Sequence, residues 1–197
     1  PNGPAVYDML VKEKTVYAII DEGLLMHDLA AGKNEIVSFD EPIGAIIDMG
    51  EKILVGANNL YTFDGEVFSD ENYRLDLSGT ITALHRRGID LFIGTTDGFY
   101  QLGISGIREL AQGIRVSAIT TDVHGGVWIG CAGDGLYRWN GEKFQKRFLR
   151  RDTTLFDNVT ALDFRHGHLY LGTDRGFFVF DGGKWQPFGR EDGLPAE

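Results

Sequence analysis

The sequence predicts an all-β chain folded as a five-bladed β-propeller of four-stranded antiparallel blades. Three observations predict it. A block of the form apolar-aromatic-apolar-Gly, polar turn, Gly-apolar-aromatic recurs along the 197 residues. A second type of short strand precedes each block at a period near 40 residues, the spacing of propeller blades with four strands apiece. Gly is abundant, at 27 residues, about twice the ordinary share of ~7%. Without collagen periodicity, that excess suits many tight turns between short strands.

The block is clearest at 127–144, Val-Trp-Ile-Gly-Cys-Ala-Gly-Asp-Gly-Leu-Tyr-Arg-Trp-Asn-Gly-Glu-Lys-Phe. An apolar strand leads into a Gly- and Asp-rich turn, and a second strand follows. Asn140-Gly141 then predicts a tight hairpin turn, since both central residues of such a turn need φ > 0 and Asn-Gly tolerates it best. Phe144 opens a third strand. Copies read Leu-Phe-Ile-Gly-Thr-Thr-Asp-Gly-Phe-Tyr at 91–100 and Leu-Tyr-Leu-Gly-Thr-Asp-Arg-Gly-Phe-Phe at 169–178. The copy at 53–61 is one residue shorter and has Asn59 for the second Gly. Asn is the next-best residue for a left-handed position. The copy at 16–25 is the most divergent, with Ile19 at the first Gly position and Gly23 at the second.

The preceding strands open at Val6, Ile43, Ile81, Val116 and Val159, which are 37, 38, 35 and 43 residues apart. With strands lettered A to D in chain order, these are the A strands of five blades. The reading is a single domain with blades at about 5–41, 42–79, 80–114, 115–157 and 158–197. Ala45, Ala83, Ala118 and Ala161 hold the third position of strand A, where small residues suit strands crowded round a narrow axis. Asp8 stands there in blade 1 and reads as a solvated carboxylate at the channel mouth rather than a cation ligand. The units are in phase, so the seam is expected between whole blades, with no strand exchanged into the last sheet and the termini close together. The alternative is that the five units form part of a larger ring.

Composition narrows the function classes. A net charge of −10 disfavours a nucleic-acid partner, which calls for a basic surface. No apolar run approaches the roughly 20 residues of a membrane-spanning helix, so no membrane insertion is expected, and no signal peptide is present. The lone Cys131 excludes an internal disulfide framework. His166 and His168 flank an A–B turn, but structural zinc wants four ligands at short spacings, usually with Cys. No metal or other cofactor is therefore expected. There is no Gly-x-Ser-x-Gly nucleophile elbow and no Gly-rich phosphate loop ahead of a helix, so the chain reads as no enzyme. Lys143, Lys146, Arg147, Arg150 and Arg151, interleaved with Phe144 and Phe148, read as protection of an exposed outer strand against edge pairing.

Val-Thr-Ala-Leu at 159–162, the block at 169–178, and aromatic-Asp-Gly at 180–182 resemble the two-component regulator propeller repeat. Residues 116–119 and 127–141 follow the pattern closely, and Gly193-Leu194-Pro195 resembles the tripeptide that precedes a next repeat. The resemblance covers essentially all of the chain. It implies a sensor-type β-propeller like the extracytoplasmic regions of bacterial hybrid two-component systems, associated with sensing carbohydrate breakdown products. It therefore implies ligand binding, a part in signal transduction and an extracytoplasmic or periplasmic location.

The B–C turns and D–A loops share one face of a propeller. Ten loops converging on one rim make it the natural binding surface, although an Asp just before Gly is also a common turn-former. The loops leading into strand A lie nearest the channel and vary most between copies. The candidate contacts are Asp97, Asp134, Asp174 and Arg175, with Arg115 and Asp40 behind them. Arg175 is suited to a bidentate contact with a carboxylate or to bridging sugar hydroxyls. The sequence thus predicts a non-enzymatic binding module on this face, for a small-molecule or carbohydrate ligand or for a protein partner. A lectin-like carbohydrate binder is the runner-up, and a metal-dependent propeller lyase is a distant third.

Overall fold

A computed structural model describes residues 5–70, 73–147, 158–189 and 192. Twenty strands form five four-stranded antiparallel sheets, and the chain is a five-bladed β-propeller. Strand A of the successive blades is Met9–Lys12, Ala45–Asp48, Ile81–Arg87, Val116–Thr121 and Val159–Arg165. Strand D is Lys33–Ser38, Phe68–Ser69, Gly106–Gln112, Phe144–Arg147 and Trp185–Phe188. Within every sheet the strands follow in chain order. The first strand starts at Met9 rather than Val6 and pairs with its own sheet, Met9 opposite Ala18 and Lys12 opposite Thr15. The termini, the loop at 150–157, Phe148, Arg150, Arg151 and Gly193-Leu194-Pro195 lie outside the described residues.

Strand B is apolar without alternation because both faces of a blade are covered; Val127–Cys131 is buried throughout. The C–D turns depart from the expected geometry in one respect. Of the pair Asn140-Gly141, only Gly141 takes a positive φ, 102°. Asn140 instead stands ahead of the turn, where its side-chain oxygen accepts from the Glu142 and Lys143 amides at 3.1 and 2.8 Å. Asp64 and Asp181 do the same in blades 2 and 5, which is why Asx residues recur at this site.

Apolar clusters cement successive blades. Ile19 and Leu24 pack on Ile46, Val55 and Phe63 of blade 2. Leu54 and Leu60 pack on Ile81, Leu91 and Ile93 of blade 3. Phe92 and Phe99 meet Val127, Ile129 and Trp139, and Trp128 and Leu136 meet Val159, Leu169 and Phe178.

These interfaces explain the first Gly of the block. A Cβ on Gly56, Gly94 or Gly130 would lie 2.4, 2.3 or 2.4 Å from Ile81 Cγ2, Val116 Cγ1 or Val159 Cγ1. In each case the branched residue opening the next blade's strand A sits directly on the glycine. A bulge at the head of strand A completes the joint. The register shifts across Thr82, Ser117 and Thr160, leaving a hydroxyl residue unpaired by the ladder. The Thr82 hydroxyl donates to the Val116 carbonyl at 2.6 Å and lies 3.3 Å from that of Gly94. The Ser117 hydroxyl does the same for Val159, at 2.5 Å, and Gly130, at 3.0 Å.

Asp8 is a stitch between blades rather than a solvated carboxylate. It is half-buried, and Oδ2 accepts from the Ile46 amide of blade 2 at 2.9 Å. Burial raises its pKa above the usual carboxylate value, against the lowering effect of the Ile46 and Met9 amides.

Candidate functional site

The heads of the five A strands surround a recess of about 530 Å³ at the propeller axis, on the B–C and D–A loop face. Tyr7, Ile43, Thr82, Arg115, Ser117 and Thr160 are among its lining residues, with Asn158 beside Thr160. Among the described lining residues its one charged side chain is Arg115. That residue is exposed, its carbonyl accepts from the Ala132 amide at 2.8 Å, and its guanidinium bonds to no described residue. A guanidinium with no partner among the described residues, beside hydroxyl and amide groups, can receive a carboxylate or a polyhydroxylated ligand.

The other predicted contacts are spread over the face. Asp174 reaches the rim of the recess through Asn158, whose Nδ2 lies 3.4 Å from Asp174 Oδ2 and whose carbonyl accepts the Asp174 amide at 3.3 Å. Arg175 beside it is exposed, and its amide donates to Thr173 Oγ1 at 3.1 Å. Asp97 ties two loops together by accepting from the Ser78 hydroxyl at 3.0 Å. Asp134 accepts from the Tyr137 hydroxyl and pairs with Lys146. Burial works to raise the Asp134 pKa, but the Lys146 and Tyr137 bonds outweigh it and hold it below the usual value. Asp40 lies in a separate acidic recess of about 490 Å³ with Asp21 and Glu41. The structure thus brings Arg115 into the axial recess and Asp174 to its edge, while Asp97 and Asp134 are engaged within their own turns.

The sequence reading overlooked a cleft on the opposite face. Between blades 4 and 5, Asp122, His124, Trp128, Arg138, Phe180 and Trp185 line a space of about 660 Å³. Asp122 organises it. One carboxylate oxygen accepts the His124 and Gly126 amides, both at 2.9 Å. The other accepts Trp128 Nε1 at 3.0 Å and Arg138 Nε and Nη2 at 2.9 and 2.7 Å. Desolvation pushes the Asp122 pKa up, yet the Arg138, Gly126 and Trp128 bonds prevail and lower it. The Arg138 guanidinium lies 5.6 Å from the Trp128 ring centre, a cation–π contact. Arg138, between Tyr137 and Trp139 on an inner strand, was the available signal, because a cation in such a run requires a partner.

Among the described residues no group of three His, Cys, Asp or Glu is placed to hold a metal ion. The His168 ring bonds the His166 carbonyl at 2.9 Å. His85 meets the Thr121 hydroxyl at 2.7 Å, and burial, aided by nearby Arg87, lowers its pKa. Burial pushes the Cys131 thiol up to about 12. No described helix is long and apolar enough to cross a membrane.

No family model matches the chain, and no curated protein matches it. Solved structures do. The extracellular domain of BT3049, described as a hybrid two component system of B. thetaiotaomicron, is similar over 99% of this chain with a TM-score of 0.75 and 15% identity. The extracellular domain of BT4673, described in the same way and from the same organism, is similar over 88% with a TM-score of 0.72 and 19% identity. The chain spans 30% and 26% of those two chains, less than a third of their length. YCF48 bound to D1 peptide is similar over 98% of this chain and 69% of its own, with a TM-score of 0.67 and 10% identity. The chain therefore shares the propeller fold of these extracellular domains and of YCF48.

Proposed function

We propose that the chain is a non-enzymatic, extracytoplasmic binding module that takes a small acidic or polyhydroxylated ligand at the axial recess. The single observation that carries this reading is Arg115, an exposed guanidinium without a described partner, in a recess that strands from all five blades surround. Arg175 and Asp174 extend the site along the rim, and Asp97, Asp134 and Asp40 complete the face. The shared fold with extracellular domains of hybrid two component systems supports a sensing role for that binding. The test is an array of acidic and neutral oligosaccharides, followed by calorimetry on any hit. Arg115→Ala is expected to weaken binding at least tenfold without altering the fold. A hit bound equally by Arg115→Ala and the parent chain would overturn the assignment.

A second reading rests on the cleft between blades 4 and 5. The ring faces of Phe180 and Trp185 stack at 4.8 Å beside Trp128, and aromatic platforms of this kind suit sugar rings or peptide side chains, as a lectin-like or protein-interaction module requires. Trp185→Ala, against Arg115→Ala, separates the two readings.

A further inference from the structure

The aromatic residue that closes the repeated block meets an outer neighbour on strand D. Glu109 stands opposite Tyr100, Lys146 opposite Tyr137 and Pro187 opposite Phe178. In blade 4 that neighbour is a cation. The Lys146 ammonium lies 5.5 Å from the Tyr137 ring centre and pairs with the Asp134 carboxylate. Blade 2 departs from the pattern. Its strand D, Phe68–Ser69, pairs only with Thr62 and Phe63 of strand C, Leu60–Phe63. Asp70 then leaves the sheet in a turn, its carbonyl accepting the Tyr73 amide at 3.0 Å. Among the described residues the ladder puts nothing opposite Tyr61 on this side. Tyr61 is accordingly only half-buried, while Tyr100 at the same place in blade 3 is 3% exposed.

The gap opens a recess of about 440 Å³ at the outer edge of blades 1 and 2. Its wall is aromatic. The Phe39 ring packs on Tyr61 with centres 4.8 Å apart and on Phe68 at 4.6 Å. Asp40, Glu41 and Glu66 rim it, and no Lys or Arg is among its described lining residues. The described partners of the Glu41 carboxylate are neutral donors, the Tyr61 hydroxyl and the Asn58 amide, both at 3.2 Å. The Asp40 and Glu66 carboxylates bond to no described residue, and none of the three joins an ion pair among the described residues. The recess thus holds the ring and the carboxylates of the blade 4 arrangement without its cation.

We propose that this recess docks an extended basic segment of a partner protein, which lies along the open edge of strand C and lays a Lys or Arg side chain over the Tyr61 ring beside Glu41 and Glu66. The blade 4 arrangement selects this occupant. There the cation rides on a strand opposite the ring, and an extended segment added to an open sheet edge supplies the same placement. Aromatic faces attract an ammonium or guanidinium group. Three carboxylates on a chain of net charge −10 disfavour an acidic segment. The site is distinct from the axial recess and takes the opposite charge.

Peptide titrations by calorimetry test the proposal, using blocked heptapeptides of alternating Ser and Thr with Lys, Arg, Gln or Glu at the centre. The Lys and Arg peptides should bind about tenfold tighter than the Gln peptide, the scale of a cation–π contact with a carboxylate partner. N-acetyl-lysine amide, which lacks the strand, should bind about tenfold more weakly than the Lys peptide. Glu66 is exposed, so Glu66→Gln should fold normally and yet lose most of the preference for Lys over Gln. Tyr61→Ala should lose it too, and Tyr61→Phe should keep it. Glu51→Gln, on the A–B turn of blade 2, should leave it intact. Equal binding of the Lys and Gln peptides, absence of binding included, would overturn the proposal. So would an unchanged preference in both Glu66→Gln and Tyr61→Ala. A loss in Glu51→Gln equal to that in Glu66→Gln would overturn it in favour of net charge alone. Equal binding of the Lys peptide and N-acetyl-lysine amide would overturn it in favour of a small amine.

Discussion

Gly130→Ala tests the blade joint most sharply, with Gly172→Ala as its internal control. Both glycines occupy the same position of strand B and neither needs a positive φ, so backbone strain does not enter. At Gly130 an added Cβ would lie 2.4 Å from Val159 Cγ1 and 3.0 Å from Val159 Cβ. Val159 is held by the Ser117 hydroxyl through its carbonyl and cannot retreat freely. Overpacking of this kind costs about 1–3 kcal/mol, offset by the roughly 0.5–1 kcal/mol gained by removing a strand glycine. The net loss is about 0–2.5 kcal/mol, or up to about 10 °C in Tm for a domain of this size, and the overpacking of about 1–3 kcal/mol is the difference from Gly172→Ala. At Gly172 only the glycine term operates, so Gly172→Ala should leave Tm unchanged or slightly raised. Calorimetric unfolding of the two variants beside the parent reads the difference. Equal Tm values for Gly130→Ala and Gly172→Ala would refute the seating of Val159 on Gly130.

Further outcomes follow from three residues, Asp122, Asp8 and Cys131. Asp122→Ala leaves Arg138 and the Trp128 indole without their acceptor and should cost about 3 kcal/mol in denaturant unfolding. Because the folded Asp122 pKa is lowered, its contribution is present above the unfolded value near 3.9 and is lost as pH falls through the folded value. Acid titrations of stability should therefore be flatter for Asp122→Asn than for the parent. Asp8 has the opposite sign: its raised folded pKa gives a contribution that is full below the unfolded value and lost as pH rises. At pH 7, Asp8→Asn should match or exceed the parent in thermal stability, while Asp8→Ala, which strips the Ile46 amide of its acceptor, should lose about 1–3 kcal/mol. Cys131, with its thiol held protonated up to about pH 12, should resist a disulfide exchange reagent at pH 8 until denaturant is added.

The architecture was legible because its determinants are local and repeated. Gly141 and Asn140 mark a turn whatever surrounds them, and the five strand heads at Val6, Ile43, Ile81, Val116 and Val159 announce a period. What the repeat could not reveal is what each glycine is for. Gly130 looks like a turn residue in sequence, but it is a flat seat for Val159 from another blade. Asp8 looked like an odd residue at the axis because its partner, the Ile46 amide, lies 38 positions away. The site was less legible for the same reason. Asp97 and Asp134 advertise charge on the right loops, yet Ser78, Tyr137 and Lys146 already engage them. Arg115 ranked behind them because no pattern in one blade shows that its guanidinium faces space enclosed by the other four.

Hydrogen exchange on the chain with and without a bound oligosaccharide tests the binding claim most directly. With the ligand seated in the axial recess, protection should rise at the strand A heads of several blades at once, around Gly44, Arg115 and Ser117, and beside Asn158. Protection confined to Asp122, His124 and the turn at Asp181 would place the ligand in the opposite cleft and contradict the account.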